Sequence, residues 1–380
     1  MKVSLTDICD FQGGTQPPKD EWIDQPAQGY VRMLQIRDFT QSDKNYIEYV
    51  KDTGKLKICI EDDILIGRYG ASIGKILTGL AGAYNVAIVK TIPDEKVVSK
   101  KYLYWYLNSQ YFQRFISNVG SRAAQAGFNK NDLGAAQIPL VDKERQEEIC
   151  EVLEKANKLI SLRKQQLAKL DELIKALFVE IFGDPVSNPL HWKKVKLSEL
   201  ADIKIGPFGS LLHKEDYVTG GHPLVNPSHI ISGKIIVDND LTLTEGKYFE
   251  LSAYHLKKND VILGRRGEMG RCAVVNEEGL LCGTGSLLIR TNGTVTADYI
   301  QKIISFPTFK KTIEDMAVGQ TMPNLNVPIV SNFMIIVPPL SVQKNYYDFV
   351  ECVDQQKQTV QQSLEKLELM KKALMQEYFG

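Results

Sequence analysis

The sequence predicts an α+β protein with an internal repeat: two similar mixed α/β domains joined by a pair of long antiparallel coiled-coil helices, related by a pseudo-twofold axis. Three observations predict it. Asp62 to Gly70 (Asp-Asp-Ile-Leu-Ile-Gly-Arg-Tyr-Gly) returns as Asn259 to Gly267 (Asn-Asp-Val-Ile-Leu-Gly-Arg-Arg-Gly), 197 residues on. Gln146 and Gln343, each following a proline-bearing apolar step, share that offset, as do the ends Phe182-Gly183 and Phe379-Gly380. A repeat found first governs every later assignment.

The halves open alike, with Lys2-Val3-Ser4-Leu5 against Lys194-Val195-Lys196-Leu197, so a boundary falls in the turn-rich stretch Gly183 to Pro189. Glycine-bounded β-branched runs read as strands at Ile64 to Ile66, Val86 to Val89, Val261 to Leu263 and Ser286 to Ile289. One helix is expected from about Lys100 to Val119 and its equivalent from about Ala297 to Met316. A last strand at Ile138, or at Ile335 to Val337, closes each domain. The expected layout is globular domain 1–142, helix 143–183, globular domain 184–340 and helix 341–380.

Both expected long helices lack glycine and proline and carry an apolar seam spaced alternately by four and three residues. In the first the seam is Ile149, Leu153, Ala156, Ile160, Leu167, Leu170, Ile174, Leu177 and Ile181, interrupted by Arg163. In the second it is Tyr346, Val350, Val353, Val360, Leu364, Leu367, Leu374 and Tyr378, with Lys357 and Lys371 as exceptions. A lone helix cannot bury such a stripe, so the two are expected to pair. The intervening domain lets the second helix return antiparallel to the first.

Composition bounds the function. A chain of 380 residues with 43% apolar content is folded and large enough for two or three cores. Lys plus Arg equals Asp plus Glu at 46 each, so any grip on nucleic acid must come from local basic surface. No apolar run is long enough to span a bilayer and no secretory signal opens the chain, so a cytoplasmic protein with no membrane contact is expected. The six cysteines form no C-x-x-C pair and read as buried thiols.

Catalytic motifs fail one by one. Residues 1–190 contain no histidine, which rules out a His-dependent triad or metal site common to both halves. Gly70-Ala71-Ser72-Ile73-Gly74-Lys75 imitates a phosphate loop, yet has three residues between its glycines and Ile76 where Ser or Thr should follow. Asn226-Pro227-Ser228-His229 lacks the aromatic of an adenine methyltransferase loop. No catalytic residue, metal or cofactor is therefore expected in this chain.

What the copies share is a glycine turn with cations: Arg68, Tyr69 and Lys75 in the first, Arg265, Arg266 and Arg271 in the second. It fits either a contact to DNA phosphates or a structural hairpin. Two polar loops add Arg122, Gln125, Asn129 and Lys130, and Gln320, Asn324 and Asn326. Arg, Asn and Gln make bidentate contacts to base edges, although such loops can equally be capped turns.

Taken together, the duplication, the Asp63-Ile64-Leu65-Ile66-Gly67-Arg68 element and the Gly319 to Asn326 loop resemble specificity subunits of Type I restriction-modification enzymes. So do the Val337-Pro338-Pro339-Leu340 step into a helix and the Phe182-Gly183-Asp184-Pro185 exit. The resemblance covers the whole chain, with one departure: the first copy has Val141 after Ile138-Pro139-Leu140 and lacks the second proline. It implies that each globular unit is a target recognition domain, the helices are spacers, and the target is double-stranded DNA with two half-sites and an unspecified gap. It also implies partners: two modification (methyltransferase) subunits and restriction (translocase/endonuclease) subunits, which carry S-adenosylmethionine, ATP and Mg. A competing reading, favoured slightly by the neutral charge, is a non-catalytic scaffold whose two domains bind proteins.

Overall fold

The computed structural model of the chain describes all residues but 42–46, 123–126 and 318–323, and describes 120–122, 210 and 214 without their side chains. The chain divides into two compact units, Met1–Gln166 with Val360–Gly380, and Leu167–Thr359. Each is held by its own apolar core.

In the first unit the strand Lys2–Ser4 pairs antiparallel with Gln137–Pro139, so the domain's opening and closing segments meet. A four-stranded sheet follows, ordered Cys9–Gly13, Ile88–Pro93, Leu65–Gly67, Ile76–Leu77, and a second runs Tyr49–Lys51, Tyr30–Leu34, Gly82–Tyr84, Ile58–Cys59. The second unit repeats this arrangement: Lys194–Lys196 pairs with Met334–Ile336, and its main sheet is ordered Ala201–Ile205, Ser286–Thr291, Asp260–Gly264, Cys272–Val274. Its smaller sheet runs Tyr217–Val218, Thr242–Leu243, His222–Val225, Leu281–Cys282. The parallel pairings also correspond, Leu34 opposite Tyr84 and Val225 opposite Cys282.

The single helix expected from Lys100 is two, Lys100–Leu107 and Gln110–Arg122. Asn108 turns its side-chain amide back onto the Tyr104 carbonyl, and the Ser109 hydroxyl receives the Phe112 N–H, starting a new helix. In the second unit the break falls between Ala297–Ile304 and Pro307–Met316. Proline can open a helix but not continue one, and it holds Phe306 extended.

Both long helices form, at Lys143–Phe182 and Leu340–Phe379, each of 40 residues and displaced by 197. Their seam positions are buried or half-buried, including Arg163, Lys357 and Lys371, while most residues between them are exposed. Within the first unit Asn157 meets Lys371 (2.7 Å) and Lys164 meets Glu368 (2.8 Å), so the two segments run antiparallel. Within the second, Asp171 meets Lys357 (2.6 Å), and the Tyr346 hydroxyl donates to the Ile174 carbonyl (3.1 Å), again antiparallel. The two lysines on the seam thus have partners, Lys357 in Asp171 and Lys371 in Asn157, and Lys371 also lies over the Trp105 ring, 5.2 Å from its centre. Its ammonium is held below its ordinary pKa by burial and by Lys164, against the pull of Glu368.

The last turn of each long helix enters a domain core. Phe182 is fully buried with its ring 5.1 Å from Tyr299, and Phe379 is fully buried 5.2 Å from Tyr102. The two tyrosines are themselves equivalent, donating to the carbonyls of Ile336 and Pro139. Met375 and Phe178 support them one turn earlier. The C-terminal helix end is thus core material for the N-terminal domain.

The other end of each helix is fixed by the repeated glutamine. Gln146 is fully buried; it accepts from Ser99 N–H (2.9 Å) and donates to the carbonyls of Val97 and Val141 (both 2.9 Å). Gln343 accepts from Thr296 N–H (3.0 Å) and donates to Pro338 (2.9 Å). A buried amide left unpaired costs more than the bond gains, which explains glutamine at both positions.

Candidate nucleic-acid interface

At one end of each main sheet the strands run out into loops that approach closely. Gly14 sits where a Cβ would lie 2.1 Å from the Asn85 carbonyl oxygen, and Gly206 where it would lie 2.0 Å from that of Gly283. Only glycine permits backbones this close. Arg68 and Arg265 leave the neighbouring strands at this end.

Their guanidinium groups do the same thing in both units. Arg68 Nε donates to the Phe128 carbonyl (2.8 Å) and Arg265 Nε to the Leu325 carbonyl (3.0 Å). Tyr69 forms a β-bridge to Gly127, and Arg266 one to Asn324. Every one of these pairs is offset by 197. Each arginine thus anchors the far side of a polar loop to the sheet end. Burial and the adjacent Arg266 pull the Arg265 guanidinium below its ordinary pKa.

Asn129 and Asn326, read from sequence as base contacts or caps, are equivalent helix caps: Asn129 accepts from Asn131 and Asp132 N–H, and Asn326 from Ile329 N–H (2.9 Å). Lys130 pairs with Asp10. The Asn324 side-chain oxygen is buried without a hydrogen-bond partner among the described residues. Gln125, Gln320 and the side chain of Arg122 lie outside the described residues.

The turns themselves differ. Lys75 is exposed, whereas Arg271 donates to the Pro227 carbonyl (3.2 Å) and to Glu268 (3.0 Å), which also holds Lys310 (2.8 Å). Those two cations hold the Glu268 carboxyl below its ordinary range. The acid in the second turn is therefore neutralised locally. Tyr69 and Arg266 are exposed on the same turns.

A family model described as Type I restriction modification DNA specificity domain matches the chain twice, over residues 1–172 and 189–369. The chain belongs to that family. Curated relatives include the specificity subunits of the Type I restriction enzymes MjaVIII and MjaIX of Methanocaldococcus jannaschii. The first is 22% identical over 98% of this chain and 90% of its own, the second 22% over 91% and 82%. Among solved structures, a chain from the type I R-M system gives a TM-score of 0.66 at 15% identity, covering 100% of this chain and 97% of its own. The M. genitalium S subunit gives 0.55 at 16%, and the Thermoanaerobacter tengcongensis HsdS subunit 0.51 at 16%; each covers 100% of this chain and 96% of its own. These likenesses show a common fold.

As a specificity subunit, the chain supplies DNA recognition and no catalysis. Five of its cysteines are buried and Cys352 is exposed; burial pushes the thiols of Cys9, Cys150, Cys272 and Cys282 up to about 12. No helix among the described residues is long and apolar enough to cross a membrane.

Sequence reasoning missed a polar cluster at the loop end of the first unit. Glu48 accepts from Lys19 (2.6 Å), from Gln35 (2.7 Å) and from Arg37. Asp38 takes the Gln35 N–H (2.7 Å) and Arg32 (3.2 Å). These residues are dispersed between 19 and 48, so no local motif marks them.

Proposed function

We propose that this specificity subunit reads a bipartite double-stranded DNA target, one half-site per globular unit, and directs adenine methylation and restriction by partner subunits. The observation that carries the reading is the duplicated loop end, where the same arginine anchors the same loop in both units and cationic turns flank it. Lys75, Tyr69 and Arg266 contact the DNA backbone, while Arg68, Arg265, Asn129 and Asn326 hold the loops that carry Arg122, Gln125, Lys130, Gln320 and Asn324. Arg271 contributes charge already shared with Glu268.

The long helices act as an antiparallel coiled-coil spacer, and a pseudo-twofold axis relates target recognition domains 1–142 and 184–340 to each other. Support comes from the common offset of 197 and from the antiparallel contacts within each unit. Two modification subunits and restriction subunits supply S-adenosylmethionine, ATP and Mg, in the cytoplasm. The balanced charge fits this arrangement, because the partners add to the grip on DNA.

The test is DNA binding by the chain with its modification subunits at several salt concentrations. Lys75→Ala lowers affinity at all sequences and makes the salt dependence shallower by about one counterion, because a phosphate contact releases ions without reading bases. Equal affinity and slope in the variant would remove this turn from the interface.

A further inference from the structure

We propose that Gln35 and Arg37, held in place by Glu48, read bases of the first half-site; this rests on the DNA-reading function proposed above. The frame common to both units cannot tell one half-site from the other. Arg68 and Arg265, the carbonyls they hold, and the caps Asn129 and Asn326 do the same work at the same offset. Discrimination must come from side chains at that loop end which differ between the units.

The segment after Leu34 meets this condition. It is joined to Arg68 by consecutive bonds: Asn85 N–H to the Leu34 carbonyl (3.1 Å), Ala87 N–H to the Asn85 side chain (3.1 Å), and Arg68 N–H to the Ala87 carbonyl (2.8 Å). The corresponding strand of the second unit ends at Val225, placed by its parallel pairing with Cys282, and is followed by Asn226 to His229.

The chemistry at the two places is different. In the second unit Asn226 turns inward to accept from Gly285 N–H (3.2 Å), and the His229 ring is buried against the Leu224 carbonyl (2.9 Å). In the first, Gln35 and Arg37 converge on the Glu48 carboxylate, and the Arg37 side chain remains 41% exposed.

Gln and Arg are the side chains that pair bidentately with adenine and guanine edges. Anchoring them on a carboxylate spends their rotamer entropy before binding, so less is lost in the complex. A network that merely staples its loop would make no distinction between bases.

The experiment uses the full chain with its cognate modification subunits and measures methylation across a DNA library randomised at every target position. Arg37→Ala or Gln35→Ala relaxes preference at one or two positions of a single half-site by roughly ten-fold, the scale of one bidentate contact. The other half-site keeps its preference. Arg37→Lys retains charge without the fork and leaves preference relaxed. Should Arg37→Ala fail to fold, Gln35→Asn shortens the reach with little loss of packing. An unchanged motif, or slower methylation with the same motif, overturns the assignment. If the unsubstituted chain directs no sequence-specific methylation, the underlying function itself fails.

Discussion

Replacing Phe379 by alanine tests whether the end of the C-terminal helix belongs to the N-terminal unit. The ring is fully buried, 5.2 Å from Tyr102 and 6.1 Å from Tyr106, inside the core that also holds Ile138 and Leu153. Phe→Ala in a core costs about 3–5 kcal/mol. A position in the last helical turn can partly collapse into the space, which favours the lower end, about 3 kcal/mol. For a unit of this size about 1 kcal/mol moves Tm by roughly 2–4 °C, so its transition falls by about 6–12 °C. Thermal unfolding gives the shift, and hydrogen exchange locates it: amides of Lys100–Leu107 lose protection. Leu369→Ala, on the same helix but 68% exposed, is the control and changes stability within about 0.5 kcal/mol. If the two variants melt alike, or if protection is lost in 340–358 and kept in 100–107, the docking of Phe379 is wrong.

Gln146→Leu removes a buried acceptor and two donated bonds, leaving Ser99 N–H and two carbonyls unpaired; urea unfolding should show a loss of about 2–4 kcal/mol. Burial raises the Asp63 carboxyl, but the Ile60 N–H and Lys90 outweigh it and set its folded pKa below the ordinary value. Its contribution is present above about pH 4 and is lost as pH falls through the lowered folded value, so Asp63→Asn should flatten the acid limb of a stability-versus-pH curve. A chain ending at Gly183 should form a homodimer that, with modification subunits, methylates an interrupted palindrome. The repeat supplies the means: Asp171 stands where Glu368 meets Lys164, and Phe182 where Phe379 meets Tyr102. Light scattering that finds a folded monomer would contradict it.

The long helices were legible because their burial obeys one period, and every seam position read from the 4-3 spacing is buried or half-buried. Phe178 and Phe182 escaped that reading. They lie off the seam, packed in a domain core; the repeated ends Phe182-Gly183 and Phe379-Gly380 marked the second of them, and nothing in the sequence marked Phe178. The break at Asn108-Ser109 was hidden because helical apolar spacing resumes directly after it, while the stop is a side-chain bond to the Tyr104 carbonyl. Arg68 and Arg265 were visible as repeated cations, but sequence could not show that Nε is committed to a loop carbonyl 60 residues on. The Glu48 cluster joins residues from separate elements, and the described residues of the second unit do not repeat its bonds, so neither periodicity nor repetition exposed it.

Whether this chain chooses the DNA sequence on which partner subunits act is tested most directly by a map of methylated adenines in a host genome with and without it. A single interrupted motif, two short specified halves around an unspecified gap, should vanish when the chain is deleted and return when it is restored. A methylation pattern unchanged by deletion, or one restored as an uninterrupted site, would contradict it.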